Sequence, residues 1–256
     1  MPTLSDWFQT PKGEYILAWE QTQYDNAVED VFGFNATQVG LPAVDFLRKS
    51  RIPLRFALED ERGGDRGAGR GAPLVADPAH LPLATHSIDL LVLPHVLEFS
   101  ANPHQILREA SRILMPEGHV VLSGFNPWSL WGARRLAVRR DGDPPWAGQF
   151  INLPRLKDWM ALLGFELAAG RMCCYAPPLT SEKWLRRFGF MESAGDRWWP
   201  FAGGIYFLHG IKRVQGMRII TPKWKTEQAP QKALAPLPHK TSPDDAMAAR
   251  NRLDRK

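Results

Sequence analysis

The clearest chemistry in this chain is at Asp77, which closes the apolar run Leu74-Val75-Ala76 and opens Pro78-Ala79-His80-Leu81-Pro82. A carboxylate at the end of a buried strand can accept a hydrogen bond from an exocyclic amine such as that of adenine. An Asp before Pro also serves as a turn cap, and both readings stand. Comparable residues follow three other apolar runs. Gln38-Val39-Gly40 ends the first, and a glycine there lets backbone approach a ligand closely. Glu59 ends the second; it could hold the hydroxyls of a sugar, but its acidic, loop-like surroundings favour a solvated surface charge. Pro94-His95 ends the fourth, where a general base or a substrate ligand would sit; His95 could equally pack beside Leu97 and Phe99. Asn126 and Trp128, just past the next run, are candidates to line a substrate pocket. His104 and His119 read as surface or turn residues. No spacing of His, Cys, Asp and Glu suggests a metal site, and neither a nucleophile elbow nor a phosphate loop is present.

Ligands of open parallel α/β sheets lie outside the carboxyl ends of the strands, so these residues matter only if the elements place them there. Residues 14–32 read as a helix through Ile16, Leu17, Trp19 and Val28. A strand over 34–40 is followed by a helix over 42–50 with Pro42 in its first turn, then a strand over 54–58. Residues 59–73, rich in Gly and Arg, read as a surface loop, with an Arg-Gly nucleic-acid motif as the sharper alternative. Residues 74–76 and 88–93 are strands; the second is apolar apart from Asp89, which signals a sheet buried on both faces and therefore parallel. Asn102 caps a helix running to Leu114, with Pro103 in its first turn and Ile106, Leu107, Ala110, Ile113 and Leu114 on its apolar face. Pro116-Glu117-Gly118 makes a turn into a strand over 119–123, completing a βαβ unit. An aromatic, irregular stretch follows through Trp128, Trp131 and Trp146. A helix over 153–163 stops at Gly164, strands span 165–175 and 205–213, and between them lie a helix over 181–190 and a turn at Trp198-Trp199-Pro200. The ten tryptophans suit a dense core better than an interface or a large ligand site.

The length of 256 residues suits one α/β domain with an appendage. No apolar run is long enough for a membrane-spanning helix, and the first residues lack the layout of a signal peptide, which leads to the expectation of a cytoplasmic protein. Cys173 and Cys174, the two cysteines, read as core thiols in a reducing compartment. The net charge of +5 is uneven: from Thr221 onward five Lys and three Arg stand against one Glu and three Asp. The basic excess therefore belongs to a Pro-rich, charged segment that reads as disordered, and the rest is nearly neutral. Nucleic-acid binding is not favoured, because the tail offers no aromatic platform beyond Trp224.

The run from Asp77 to Asn126 resembles the class I S-adenosylmethionine-dependent methyltransferases, in particular the methyltransferase-11 group. The resemblance rests on Asp77, Leu81-Pro82-Leu83, Ile88-Asp89, the stretch Glu109-Ala110-Ser111-Arg112-Ile113-Leu114, and Pro116-Glu117-Gly118. The Ser123-Gly124-Phe125-Asn126-Pro127 element is similar to that of an uncharacterised bacterial subgroup. The resemblance implies a Rossmann-like, mostly parallel seven-stranded sheet with helices on both faces and an antiparallel last strand. It also implies S-adenosylmethionine as cofactor, with Val39, Gly40, Asp77, Pro78 and Pro94 as its contacts and the residue at Asp77 facing adenine. His95 is then the candidate base, and Asn126 and Trp128 the candidate contacts to a methyl acceptor the sequence does not identify. Where the family pattern has an acid and three glycines, this chain has Gln38-Val39-Gly40-Leu41-Pro42-Ala43: Gln38 replaces the acid, the first glycine remains, and Leu41, Pro42 and Ala43 bring side chains or a fixed φ where the family usually uses glycine. The rival reading is an inactive methyltransferase-like binding or interaction protein. The domain is expected over residues 1–220, with 74–127 the closest match, and a basic disordered tail over 221–256.

Overall fold

The computed structural model describes residues 3–59, 74–137, 144–178 and 190–214. The expected loop over 60–73, most of the helix over 181–190 and the tail from 221 lie outside the described residues. The described part is an α/β fold around one seven-stranded sheet of order β3-β2-β1-β4-β5-β7-β6. The strands are β1 (Asn35–Val39), β2 (Leu54–Glu59), β3 (Leu74–Val75), β4 (Ile88–Pro94), β5 (Leu114–Phe125), β6 (Phe165–Cys173) and β7 (Ile205–Lys212). From β3 to β5 every neighbouring pair is parallel, and β7 runs antiparallel to both β5 and β6. The expected sheet, with its last strand reversed, is the one found.

The helices divide between the two faces. On one face α3 (Pro103–Ile113) and α5 (Leu153–Leu162) cover a core that includes Ile106, Leu107, Leu156 and Met160 with Val39, Leu91, Leu93 and Leu122 from the sheet. On the other, α1 (Leu4–Phe8) and α2 (Pro11–Glu29) contribute Phe8, Ile16, Tyr24 and Val28 to a core with Leu90, Val92, Val121 and Phe207. Alternate residues of β4 point to the two cores, so a strand read as apolar apart from Asp89 is indeed covered on both sides. α4 (Leu130–Ala137) and α6 (Phe190–Trp198) lie past the carboxyl end of β5 and ahead of β7. Trp131 is buried, whereas Trp128, Trp198 and Trp199 are exposed, so the tryptophans serve both core and surface. Both cysteines are buried free thiols.

Three sequence expectations need correction. No helix forms over 42–50; the segment is a series of turns, for a reason given below. Leu114 opens β5 instead of closing α3, with ψ at 139°, and the Pro116-Glu117-Gly118 turn is an irregularity inside that strand. Ile88 pairs with Leu114 and Leu90 with His119, so three extra residues of β5 are accommodated there, with Glu117 at φ +64°. Asn102 makes no side-chain cap to α3; Pro103 at the first position and the Asn102 carbonyl start the helix. Gly164, at φ +84°, ends α5 in the left-handed conformation as expected.

Candidate functional site

Four adjacent strands end on one side of the sheet, at Gly40 after β1, at Glu59 in β2, at Asp77 after β3 and at Pro94 in β4. Gly40 has φ +85°, a conformation a side chain would strain, and a Cβ there would lie 2.8 Å from Val96 Cγ2. The loop after β1 therefore rests against the end of β4 with no room for a larger residue. Val39 and Pro94 are buried beneath it.

Gln38 explains why this loop is not followed by a helix. Its side chain is buried, and Nε2 donates to the carbonyls of Gly40 (3.1 Å), Leu41 (3.0 Å) and Val44 (2.8 Å). Its Oε1 accepts from the Phe46 amide at 3.0 Å. Leu41, at φ +46°, sends its side chain into the second core. These bonds tie the carbonyls of Gly40, Leu41 and Val44 to a side chain, away from the next turn of a helix. A carboxylate could accept from Phe46 but could donate to none of the three carbonyls.

Glu59 is buried at 4% exposure, which overturns the reading of a solvated surface charge. The sequence around it is acidic, but its register beside Val75 on β3 draws it into the sheet. Asp77 has a side chain 41% exposed; its Oδ1 accepts from the Ala79 amide at 3.0 Å and its Oδ2 lies 3.1 Å from His80 Nδ1. It thus fulfils the turn-cap role while keeping part of its surface open, and Pro78 behind it is buried. The loop that carries it is held by α3. Glu109 Oε1 accepts from the Leu81 amide at 2.9 Å, and Arg112 Nη2 donates to the carbonyls of Leu81 (3.2 Å) and Leu83 (2.8 Å). The Arg112 guanidinium also forks onto Glu109, holding that carboxyl below its usual range. The Glu-Ala-x-Arg stretch is therefore a clamp on the Asp77 loop. Likewise Asp89 Oδ2 accepts from the amides of Phe34 (2.8 Å) and Asn35 (2.9 Å), fixing the start of β1 against β4.

His95 sits at φ +54° just past β4, with its ring fully enclosed. Nε2 lies 2.8 Å from Glu20 Oε1 on α2 and Nδ1 lies 2.9 Å from Glu98 Oε1. Phe8 and Phe125 pack on the ring. Burial alone would lower the imidazole pKa, but the two carboxylates outweigh it and raise it to about 10. With both nitrogens engaged and the proton held, His95 fastens α2 to the end of β4; this is not the setting of a base in contact with an acceptor. Glu20, one of its partners, was not recognisable as a site residue in the sequence, because nothing local marks a carboxylate that will meet a histidine 75 residues away, and Glu98, three residues past His95, gains its role only from the turn that brings it back onto the ring.

Asn126 is also fully engaged. Its Nδ2 donates to the carbonyls of Phe201 and Gly203, both at 2.9 Å, and its Oδ1 accepts from the Trp128 amide at 3.1 Å. It joins the end of β5 to the approach to β7. Two cavities open here. One, of about 860 Å³, is lined mostly by apolar residues, among them Trp128, Leu130, Leu136, Met191 and Trp199. The other, of about 550 Å³, is lined by Asn126, Trp128, Asn152, Lys157, Asp158 and Phe201. Trp128, 72% exposed, stands between them. Among the described residues no group of three or more His, Cys, Asp or Glu could hold a metal, and no helix is long and apolar enough to cross a membrane.

Comparison with known proteins agrees with this architecture. Residues 57–122 match the methyltransferase domain family. The chain is 41% identical over 161 residues to the uncharacterised protein YafS of Escherichia coli, covering 63% of this chain and 65% of that one. It is 31% identical over 100 residues to a malonyl-[acyl-carrier protein] O-methyltransferase of Methylovorus, covering 39% of this chain and 33% of that one. The matched region thus spans less than two thirds of either relative. Among solved structures, an S-adenosylmethionine-dependent methyltransferase from Thermotoga maritima superposes with a TM-score of 0.54 at 18% identity, covering 78% of this chain and 97% of that one. Residues 57–122 are thus similar to the methyltransferase domain family, and the fold of the described residues is similar to that of a solved S-adenosylmethionine-dependent methyltransferase.

Proposed function

We propose that this protein is an S-adenosylmethionine-dependent methyltransferase. The observation that carries the reading is the alignment of Gly40, buried Glu59 and part-exposed Asp77 at the carboxyl ends of three neighbouring strands, β1, β2 and β3. The residues fit the cofactor: Gly40, at φ +85°, leaves the loop backbone without a side chain, Glu59 offers a carboxylate to ribose hydroxyls, and Asp77 offers one to the adenine amine. Val39, Pro78 and Pro94 form the floor. When bound, the cofactor supplies an activated methyl group on a sulfonium. The chain's own residues then orient the acceptor in line with that group and exclude water; no dedicated acid or base is needed, which accords with the enclosure of His95. The cavity lined by Trp128, Leu130 and Trp199 suits an apolar portion of the acceptor, while Asn126 lines the smaller cavity on the other side of Trp128.

A second reading, a methyltransferase-like binding protein without turnover, is favoured by one feature. Gln38 closes the loop after β1 on itself, and Leu41 turns inward where the family pattern places open glycine backbone. Calorimetric titration of S-adenosylmethionine and S-adenosylhomocysteine decides between them. Micromolar binding, weakened about tenfold or more by Asp77→Ala, is the expected result. A folded protein that takes up neither compound at millimolar concentration refutes the enzyme reading and leaves the binding module.

A further inference from the structure

The loop after β1 lacks the acid of the family pattern, and the structure shows why it cannot simply be restored: Gln38 must donate to three carbonyls. Negative charge is instead buried nearby. Glu20, His95 and Glu98 have fully buried side chains joined in the order carboxylate, imidazole, carboxylate. Two carboxyl groups thus face one imidazole, two acids against one base. Glu98 Oε1 also accepts from the Phe125 amide at 2.8 Å, yet among the described residues Oε2 of Glu98 and Oε2 of Glu20 have no hydrogen-bond partner. Two such oxygens are costly to bury unless a positive charge compensates them. The field of the cluster reaches its surroundings: the phenols of Tyr24 and Tyr206, raised first by burial, are raised further by Glu20 and Glu98 respectively.

The position of the cluster names the compensating charge. His95 lies between Pro94 and Val96, and these two residues are the ones a Cβ at Gly40 would meet, Val96 Cγ2 at 2.8 Å and the Pro94 carbonyl at 3.6 Å. The cluster is therefore directly behind the contact between the loop after β1 and the end of β4. We propose that Glu20, His95 and Glu98 act as a fixed buried anion that makes the cofactor cleft select a sulfonium over the corresponding neutral thioether, replacing the loop acid that Gln38 displaced. This rests on the reading of the strand ends as an S-adenosylmethionine site. The three residues are positioning and electrostatic groups that act without touching the methyl group. The product thioether carries no positive charge, so the same cluster holds the product less firmly than the donor.

The test is a pair of titrations, S-adenosylmethionine and S-adenosylhomocysteine, into the full chain and into Glu98→Gln. The amide can still accept from Phe125 while one unit of charge is removed. Affinity for S-adenosylmethionine is expected to fall about tenfold, the effect of one charge acting over roughly 10 Å at an effective dielectric constant of about 20, while affinity for S-adenosylhomocysteine changes by less than about twofold. Glu20→Gln is the second variant, and serves alone if circular dichroism shows that Glu98→Gln has lost its fold. A purely structural role weakens both compounds equally or neither, and either result overturns the proposal while the cofactor site stands. If the unmodified protein binds neither compound, the site reading and this proposal fall together.

Discussion

Replacing Gln38 by glutamate restores the acid of the family pattern, and the structure predicts damage in place of improved cofactor binding. The Nε2 amide meets three carbonyl oxygens at 2.8–3.1 Å in a site only 2% exposed. Gln38→Glu keeps the bond from the Phe46 amide but removes two hydrogens and sets a carboxylate against three carbonyls. Leaving a buried acceptor unsatisfied costs about 1–3 kcal/mol, so the loss of two donors amounts to about 3 kcal/mol. In a domain of roughly 200 residues this lowers Tm by about 6–12 °C. The deficit also has a pH signature. Burial against carbonyls favours the neutral acid, so the folded-state pKa of the new carboxyl lies above its unfolded value of about 4.3. The neutral acid donates one O–H. The deficit is therefore smallest below that unfolded pKa and grows as pH rises through the folded one. Urea denaturation of both proteins, followed by circular dichroism at about pH 4.5 and pH 8, measures it. A deficit below about 1 kcal/mol at pH 8, or a gain in stability, would show that the Gln38 amide does not hold the loop.

Gly40→Ala is expected to cost about 1–2 kcal/mol, from φ +85° and the 2.8 Å approach to Val96 Cγ2; adding Val96→Ala should recover the steric part and leave the backbone part, as read from urea midpoints. His209, whose ring lies 2.8 Å from His119, has its pKa lowered to about 4 by burial and by that neighbour. Because the folded value is depressed, the unfolded chain takes up a proton first, so stability present above about pH 6.5 is lost as pH falls toward 4. His209→Gln should flatten the stability profile across that window, and an unchanged slope would count against the assignment.

The sheet was legible because its strands are short apolar runs bounded by Gly, Pro and Asp, and because continuous apolarity over Leu90–Leu93 signals two covered faces. The motif residues were legible as a pattern but not as mechanics. That Glu109 and Arg112 grip the carbonyls and amide of the Asp77 loop depends on tertiary approach, which spacing along the chain does not encode. The helix expected over 42–50 fails for a similar reason: Pro42 is a sound first-turn residue, but one buried glutamine offers the backbone a better set of partners than the next helical turn. Glu59 was misjudged from its acidic neighbours, when its place at the end of β2 beside β3 decides its burial. His95 was correctly placed at a strand end, yet its environment is made by Glu20, far away in sequence on α2.

The strand order has a consequence for how the chain acquires its shape as it is made. β7 is the last strand in sequence but lies inside the sheet, between β5 and β6. During synthesis β6 exists before its neighbour does, and it has no strand to pair with until β7 slots in. α2 is completed late as well: Tyr24 bonds Ser123 Oγ at 3.1 Å and its ring meets that of Phe207 at 5.1 Å, so part of the packing of this covering helix, among the first elements to emerge, waits for some of the last. The interval between the two leaves an apolar helix face and an unpaired strand edge exposed together, which makes the nascent chain, more than the finished protein, the form in need of protection from aggregation.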